Sequence, residues 1–242
     1  MSAEDRAEYV RVNFNAIARD YDRFNDLITF GFHRLWKRRL VRELGAAGTR
    51  VRALDLCCGT GDIAMYLKRM SAPGSEVVAL DFSREMLNIL ESRQADDAGA
   101  PETSLEIVEG DATDLSRFAD ASFDTASIGF GLRNVNDRPR CLAEILRVLR
   151  PGGRLAVLDV GRVNWKPAEF FHGIFFQRIV PIIGGLLRGS PHEMFAYLPA
   201  SAEHYPDQRG IQSELEATGF APVRYHNFFL GSAVLHLATR PS

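Results

Sequence analysis

Residues 53–64, ALDLCCGTGDIA, constrain this chain more than any other stretch. A short apolar run, Val51–Leu56, ends in a turn holding Gly59 and Gly61, and the turn opens a helix expected over Asp62–Met70. Glycine adopts backbone conformations closed to other residues, so such a turn can bring N–H groups close to a ligand. The pattern then repeats. Glu76–Leu80, ending at Asp81, reads as a strand and Ser83–Arg93 as a helix; further strands are expected over Leu105–Val108, Phe123–Gly129 and Leu155–Val160, with a helix over Arg138–Leu149. Strands alternating with helices imply an α/β fold with a parallel sheet covered on both faces. The C-terminal part departs from this. A helix over Gln208–Thr218 precedes two strands, Val223–Phe229 and Ser232–Ala238, whose tight connection makes them an antiparallel hairpin.

The first 45 residues read as a helical lid region. Val10, Phe14, Ile17 and Tyr21 recur at helical spacing, as do Leu35, Leu40 and Leu44, and DRFNDLITFGFH between them reads as a turn. Residues 161–207 show no strand signal and are expected to be an insertion that shapes a site. The whole, 1–242, is expected to be one domain.

Lys+Arg number 29 against 31 Asp+Glu, so bulk charge gives no argument for a nucleic-acid partner. Three cysteines, with Cys57 and Cys58 adjacent, build neither a disulfide framework nor a CxxC metal knuckle; no metal is expected, and a reducing compartment fits. The N-terminal MSAEDRAEYVR lacks the apolar stretch of a signal peptide. The most apolar region, Phe170–Leu187, is broken by His172, Gln177, Arg178, Pro181 and Gly184-Gly185, whereas a spanning helix wants about 20 apolar residues. The expected location is cytoplasmic.

Gly59, Gly61 and Ala64 also satisfy GxGxxG/A, so a nicotinamide dinucleotide has to be weighed. The acids discriminate. Asp55, four residues before Gly59, would repel a pyrophosphate but suits an ammonium group such as that of S-adenosylmethionine. Asp81, followed by Phe82, can accept both ribose hydroxyls of either cofactor. Asp111, in GDAT, is placed to meet an adenine amino group with Ala112 offering its backbone; the alternative for Asp111 is helix N-capping. Together these acids favour a sulfonium ligand.

DLCCGTGD, the acid of ALDFS, GDA, SFD and RVLRPGG resemble class I S-adenosylmethionine-dependent methyltransferases, which have a Rossmann-like fold. More narrowly, YDRFNDLITFGFHRLWK (21–37), DFSREML (81–87), GFGLRNVNDRP (129–139) and LRPGGRL (149–155) resemble the ubiquinone/menaquinone biosynthesis C-methyltransferases. Weaker echoes run through IVPIIGGLL and YLPASAEHYP to the end. The resemblance implies that Thr60, Asp81, Asp111 and Ala112 contact S-adenosylmethionine, and that the substrate is a polyprenylated hydroquinone. Gly129 stands where ubiquinone-type members often have Ser and menaquinone-type members Gly, which leans toward demethylmenaquinol. Two segments depart: LDVGRVN replaces the common LEFSxP, and NFFLGSAVLH replaces NLTGGxxxxH, so that Phe229 and Leu230 stand for a Thr and a Gly while Asn227, Gly231 and His236 remain.

Methylating a ring carbon needs placement of the reactants and ionisation of the neighbouring hydroxyl. Arg133, after strand four in FGLRNV, is the leading candidate for a cation that stabilises the quinolate, with Asn134 hydrogen-bonding its oxygen; the alternative is a surface Arg133 bonded to Asp137. Tyr21, His33, Tyr197 and Asn227 are assigned to the substrate side; Tyr21 and His33 are secondary candidates for the base, the alternatives being a capped or packed histidine and, preferred here, a lid that Tyr21, Asn25 and His33 close over cofactor and substrate. The sequence does not single out that base. HRLWKRRLVREL carries Arg34, Lys37, Arg38, Arg39 and Arg42 on one helix, either a solvated face or an attraction to anionic lipid. Phe170–Ile182 is either core or a groove for a prenyl tail. The partners expected are the quinol and a membrane met peripherally at its inner surface, with a homo-oligomer or a quinone-biosynthesis complex left open. The rival functions are a ubiquinone-pathway benzoquinol methyltransferase, a small-molecule methyltransferase of altered specificity, and a cofactor-binding scaffold without catalysis.

Overall fold

The computed structural model describes residues 3–97, 102–163, 173, 178–180, 182 and 205–242. Its strands are β1 (Arg52–Leu56), β2 (Glu76–Asp81), β3 (Ser104–Glu109), β4 (Phe123–Gly129), β5 (Leu149–Val160), β6 (Val223–Phe228) and β7 (Ala233–Thr239). Its helices are α1 (Ala3–Thr29), α2 (Phe32–Glu43), α3 (Asp62–Met70), α4 (Arg84–Ala95), α5 (Arg138–Val148) and α6 (Gln208–Thr218), numbered among the described residues. The sheet order is β3-β2-β1-β4-β5-β7-β6, with β7 antiparallel to both of its neighbours. Strand order reverses beside β1, where β4 pairs on the other side from β2, and open α/β sheets bind ligands at such a point, outside the carboxyl ends of the strands.

Alternation along the strands fills two cores. Leu54, Leu56, Val78 and Leu80 point to the side of α5 and α6, whereas Ala53, Val77 and Ala79 point to the side of α2, α3 and α4. The same period of two sends Asp55 and Asp81 to the second side, at the ends of their strands. Ser127 on β4 lies in register with Asp55 and on that same side. Two carboxylates on one face of the sheet, directly below the glycine turn, therefore follow from strand parity.

One expected turn is replaced by helix. Residues 22–29 belong to α1, and the chain reverses only at Phe30 and Gly31, both with positive φ. The polar residues that suggested a loop, Asn25 and Asp26, face a pocket and a histidine instead. The strand β5 also starts earlier than expected, at Leu149, running through the Pro151-Gly152-Gly153 irregularity. Of the apolar stretch 170–187, only 173, 178–180 and 182 lie within the described residues, and Tyr197 lies outside them.

Candidate functional site

The glycine turn has the geometry its sequence requires. Gly59 and Gly61 take φ of 55° and 87°, and a Cβ on Gly61 would come within 2.1 Å of Leu90 Cδ1. Gly61 gives α3 no side-chain cap, and in the first turn of the helix the Ala64 N–H turns to Asp55. Asp81 Oδ2 accepts from Gly59 N–H (2.8 Å) and its Oδ1 from Ser83 N–H (2.9 Å), which ties the turn to the end of β2. Burial raises the Asp81 pKa to about 6 despite those amides.

A small cavity of about 20 Å³ remains at this turn, lined by Tyr21, Lys37, Asp55, Cys57, Cys58, Gly59, Thr60, Asp62, Ile63 and Gly129. Asp55 Oδ1 accepts from Ser127 Oγ (2.7 Å), and the Ala64 amide adds a weaker contact, but Oδ2 is buried without a hydrogen-bond partner. Burial raises its pKa to about 7. A buried carboxylate oxygen with no partner, lining a cavity, fits a cationic ligand group such as an ammonium. Burial also pushes both neighbouring thiols, Cys57 and Cys58, well above their usual range, so they stay neutral.

Helix α1 closes over this region. Asp22 Oδ1 accepts from Thr60 Oγ1 (2.7 Å), Ser83 Oγ donates to Asn15 Oδ1 (2.5 Å), and Arg93 reaches Asp22 (3.4 Å) and Asp62 (2.7 Å). Thr60, expected at the cofactor, is thus buried beneath α1. Phe82 follows Asp81, half-buried. Asp111 is exposed and accepts from Thr113 N–H (2.8 Å), a local turn rather than the cap of a helix, while Ala112 is buried in the core.

Beside the small cavity lies a larger apolar one of about 280 Å³. Its walls include Ile28, Phe30, Trp36, Phe130, Val160 and Phe229, with Asn25, Thr29, His33 and Arg133 among them. Arg133 is not the exposed partner of Asp137, which instead caps α5 by accepting from Arg140 N–H. The guanidinium is buried, donates to Asp159 Oδ1 and to Phe130 O at 2.6 Å each, and leaves Nε without a partner. Burial disfavours its charge, but Asp159 outweighs this and the pKa is raised. Asn134 ends the same short turn, half-buried, and is not among the described residues lining either cavity.

The inner face of α2 carries His33, Trp36, Lys37, Leu40 and Val41, the i, i+3, i+4, i+7 and i+8 positions of an amphipathic helix. Lys37 therefore turns inward to Asp62 (2.8 Å) and drops out of the expected basic surface. Together with Arg93 it holds the Asp62 pKa far below the usual carboxylate range despite burial. Tyr21 lines the small cavity and His33 the large one.

Asn227 is engaged elsewhere. Its Oδ1 accepts from Gln208 Nε2 (3.2 Å), and Gln208 also bridges the N–H and C=O of Arg162 and accepts from His236 Nε2 at its backbone oxygen (2.9 Å). A Cβ on Gly231 would lie 2.4 Å from Arg162 O. The residues this tail shares with the family pattern thus lock β6 and β7 to the chain after β5. Phe229 and Leu230 sit on the connecting turn with φ of 42° and 56°. Phe229 packs edge-on to Phe32 (4.9 Å) and lines the apolar cavity, whereas Leu230 is 58% exposed and leaves the cavity shape alone.

The sheet order, the reversed β7 and the acids at the ends of β1 and β2 define a methyltransferase of the class I type. Among solved structures, the fold is similar to a SAM-dependent methyltransferase from Thermotoga maritima (TM-score 0.65, 20% identity, 94% of this chain and 98% of that one) and to another from Aquifex aeolicus (0.62, 18%, 90% and 96%). The chain belongs to the ubiE/COQ5 methyltransferase family, whose model matches residues 2–240. It is 46% identical over 241 residues to a demethylmenaquinone methyltransferase of Leptospira interrogans, covering 99% of this chain and 96% of that one. It is 35% identical over 238 residues to one of Staphylococcus aureus, covering 97% and 95%.

Proposed function

We infer that this enzyme methylates a ring carbon of demethylmenaquinol, a polyprenylated naphthohydroquinone, using S-adenosylmethionine. The observation that carries this reading is the pair of adjoining cavities: one with an unpartnered buried carboxylate oxygen, the other apolar and aromatic with a buried guanidinium in its wall. S-adenosylmethionine, when bound, supplies the electrophilic methyl group. Asp55 holds its ammonium, Asp81 the ribose hydroxyls, and the backbone between Gly59 and Gly61 the methionine end, while Asp111 and Ala112 border the adenine. Arg133, which stays protonated, turns Nε–H toward the quinol oxygen and stabilises the quinolate that activates the ring. Asn134 acts beside it. Trp36, Phe130 and Phe229 line the apolar cavity that receives the fused rings and exclude water.

The resemblance to menaquinone-type members at Gly129 supports the naphthoquinol over a benzoquinol. Gly129 itself lines the small cavity on the cofactor side, where a Cβ would meet Ile63 Cδ1 at 2.4 Å, so the glycine is needed for close packing there. The quinol resides in lipid, and no described helix is long and apolar enough to cross a membrane. Phe30 (80% exposed), Phe32, Leu35, Phe229 and Leu230 form an apolar rim near the mouth, and Arg34, Arg38, Arg39 and Arg42 on α2 lie exposed nearby. This rim meets the membrane peripherally, and anionic lipid strengthens the contact.

The test is turnover of reduced short-tailed demethylnaphthoquinol and of the matching benzoquinol, with product mass read for one added methyl. Methylation of the naphthoquinol is expected; turnover of the benzoquinol alone overturns the substrate assignment. Flotation with neutral and anionic vesicles checks the membrane contact, which fails if recovery is equal on both.

A further inference from the structure

Within the apolar cavity only two described lining residues carry titratable groups, Arg133 and His33. Arginine cannot serve as a base at ordinary pH. His33 is 1% exposed, and its two nitrogens are unlike. Nε2 is 2.9 Å from Asp26 Oδ1, while Nδ1 is buried and has no hydrogen-bond partner. Arg34 grips both oxygens of Asp26, at 2.8 and 2.7 Å, and together with His33 keeps its carboxyl ionised below the usual range. An ionised carboxylate only accepts, so Nε2 must carry the hydrogen and Nδ1 the lone pair. That leaves a basic nitrogen, fixed in orientation from behind and 4.0 Å from Asp62 Oδ2, on a residue that lines the cavity assigned to the quinol.

We propose that His33 is the general base of the reaction, accepting the quinol hydroxyl proton at Nδ1, and that Asp26 is its positioning residue. The inference rests on the quinol reading above. In the step, the quinol O–H bond breaks, the proton passes to Nδ1, and the electron pair stays on oxygen next to Arg133. The ring carbon then takes the methyl group as its bond to the sulfonium sulfur breaks, the bonding pair staying on sulfur and S-adenosylhomocysteine leaving as the neutral thioether. The hydrogen on the methylated carbon leaves as a proton, and the imidazolium returns its proton to the oxygen. One proton is released overall, and the ring is aromatic again. The imidazolium is held between Asp26 and Asp62, whose Oδ2 is 4.0 Å from Nδ1. Burial and then Lys37 keep the resting pKa below the usual histidine value, so the base is neutral and ready at pH 7. Asp62 itself is committed to Lys37 and Arg93 and has too low a pKa to act.

The experiment uses the full chain with a reduced short-tailed demethylnaphthoquinol. His33→Gln is expected to lower kcat by about 10²–10⁴-fold, the range of general-base help, with S-adenosylhomocysteine affinity changed less than about twofold. The acid limb of the wild-type kcat–pH profile should vanish in it, and added imidazole should restore part of the activity of His33→Ala. Nitrogen NMR of the side chain should show the Nε2–H tautomer titrating below the usual histidine range, and Asp26→Asn should move both readouts without abolishing folding. His33→Gln within about threefold of wild type, an Nδ1–H tautomer, or a rate loss matched by equal loss of S-adenosylhomocysteine affinity overturns the assignment. A wild-type enzyme inactive on the quinol overturns the substrate reading and this step with it, whereas an active wild type with an active variant removes the base alone.

Discussion

Replacing Arg133 with alanine removes more than a contact to substrate. Asp159 is 2% exposed, and its Oδ1 has Arg133 as its charged partner at 2.6 Å. Breaking a buried ion pair from one side strands the other charge, which costs about 3–5 kcal/mol. The hydrogen bond to Phe130 O goes with it. For a chain of this length each kcal/mol moves Tm by roughly 2–4 °C, so Arg133→Ala should lower Tm by roughly 6–20 °C. Adding Asp159→Ala should return part of that loss, because no charge is then left behind. Arg133→Lys should keep most of the stability but lose turnover, since a point charge cannot serve Asp159, Phe130 O and a quinol oxygen together. Thermal unfolding of the two single variants and the double one closes the cycle. A loss under about 1 kcal/mol for Arg133→Ala, or additivity of the two singles, refutes the view that this pair holds the cavity wall.

Cofactor affinity should fall as pH drops through about 7, because the Asp55 carboxylate that meets the ammonium becomes protonated there; calorimetry should show up to about tenfold weaker binding per pH unit below that point, with proton release on binding. Asp81→Asn should weaken S-adenosylmethionine by about 1.5–3 kcal/mol, the worth of hydrogen bonds to a charged group, and unchanged calorimetric affinity would remove it from the ribose. Leu230→Gly should raise stability by about 1 kcal/mol, because φ of 56° strains any residue with a Cβ, while lowering vesicle recovery; denaturant midpoints and flotation read the two effects.

The sheet was legible because its signals are local. β2 and β4 are short apolar runs closed by Asp81 and Gly129, and β4, α3 and α6 have the bounds read from the sequence. The end of α1 was not legible, since Asn25, Asp26 and Gly31 have the composition of a loop although two of them face the site. Lys37 and Arg133 show the same limit: their partners Asp62 and Asp159 lie 25 and 26 residues away, and only the fold brings them together. A signal for His33 did exist. Residues 33, 36, 37, 40, 41 and 44 form one stripe, which places the histidine inward, but no local pattern reveals that Asp26 stands behind it.

Helix α1 carries Asn15 and Asp22, which bind Ser83 and Thr60 at the cofactor turn, and, one turn further on, Asp26, which orients His33. A single continuous helix thus couples the cofactor turn to the imidazole: a substitution that loosens Asp22 from Thr60 should also disturb the contact between Asp26 and His33.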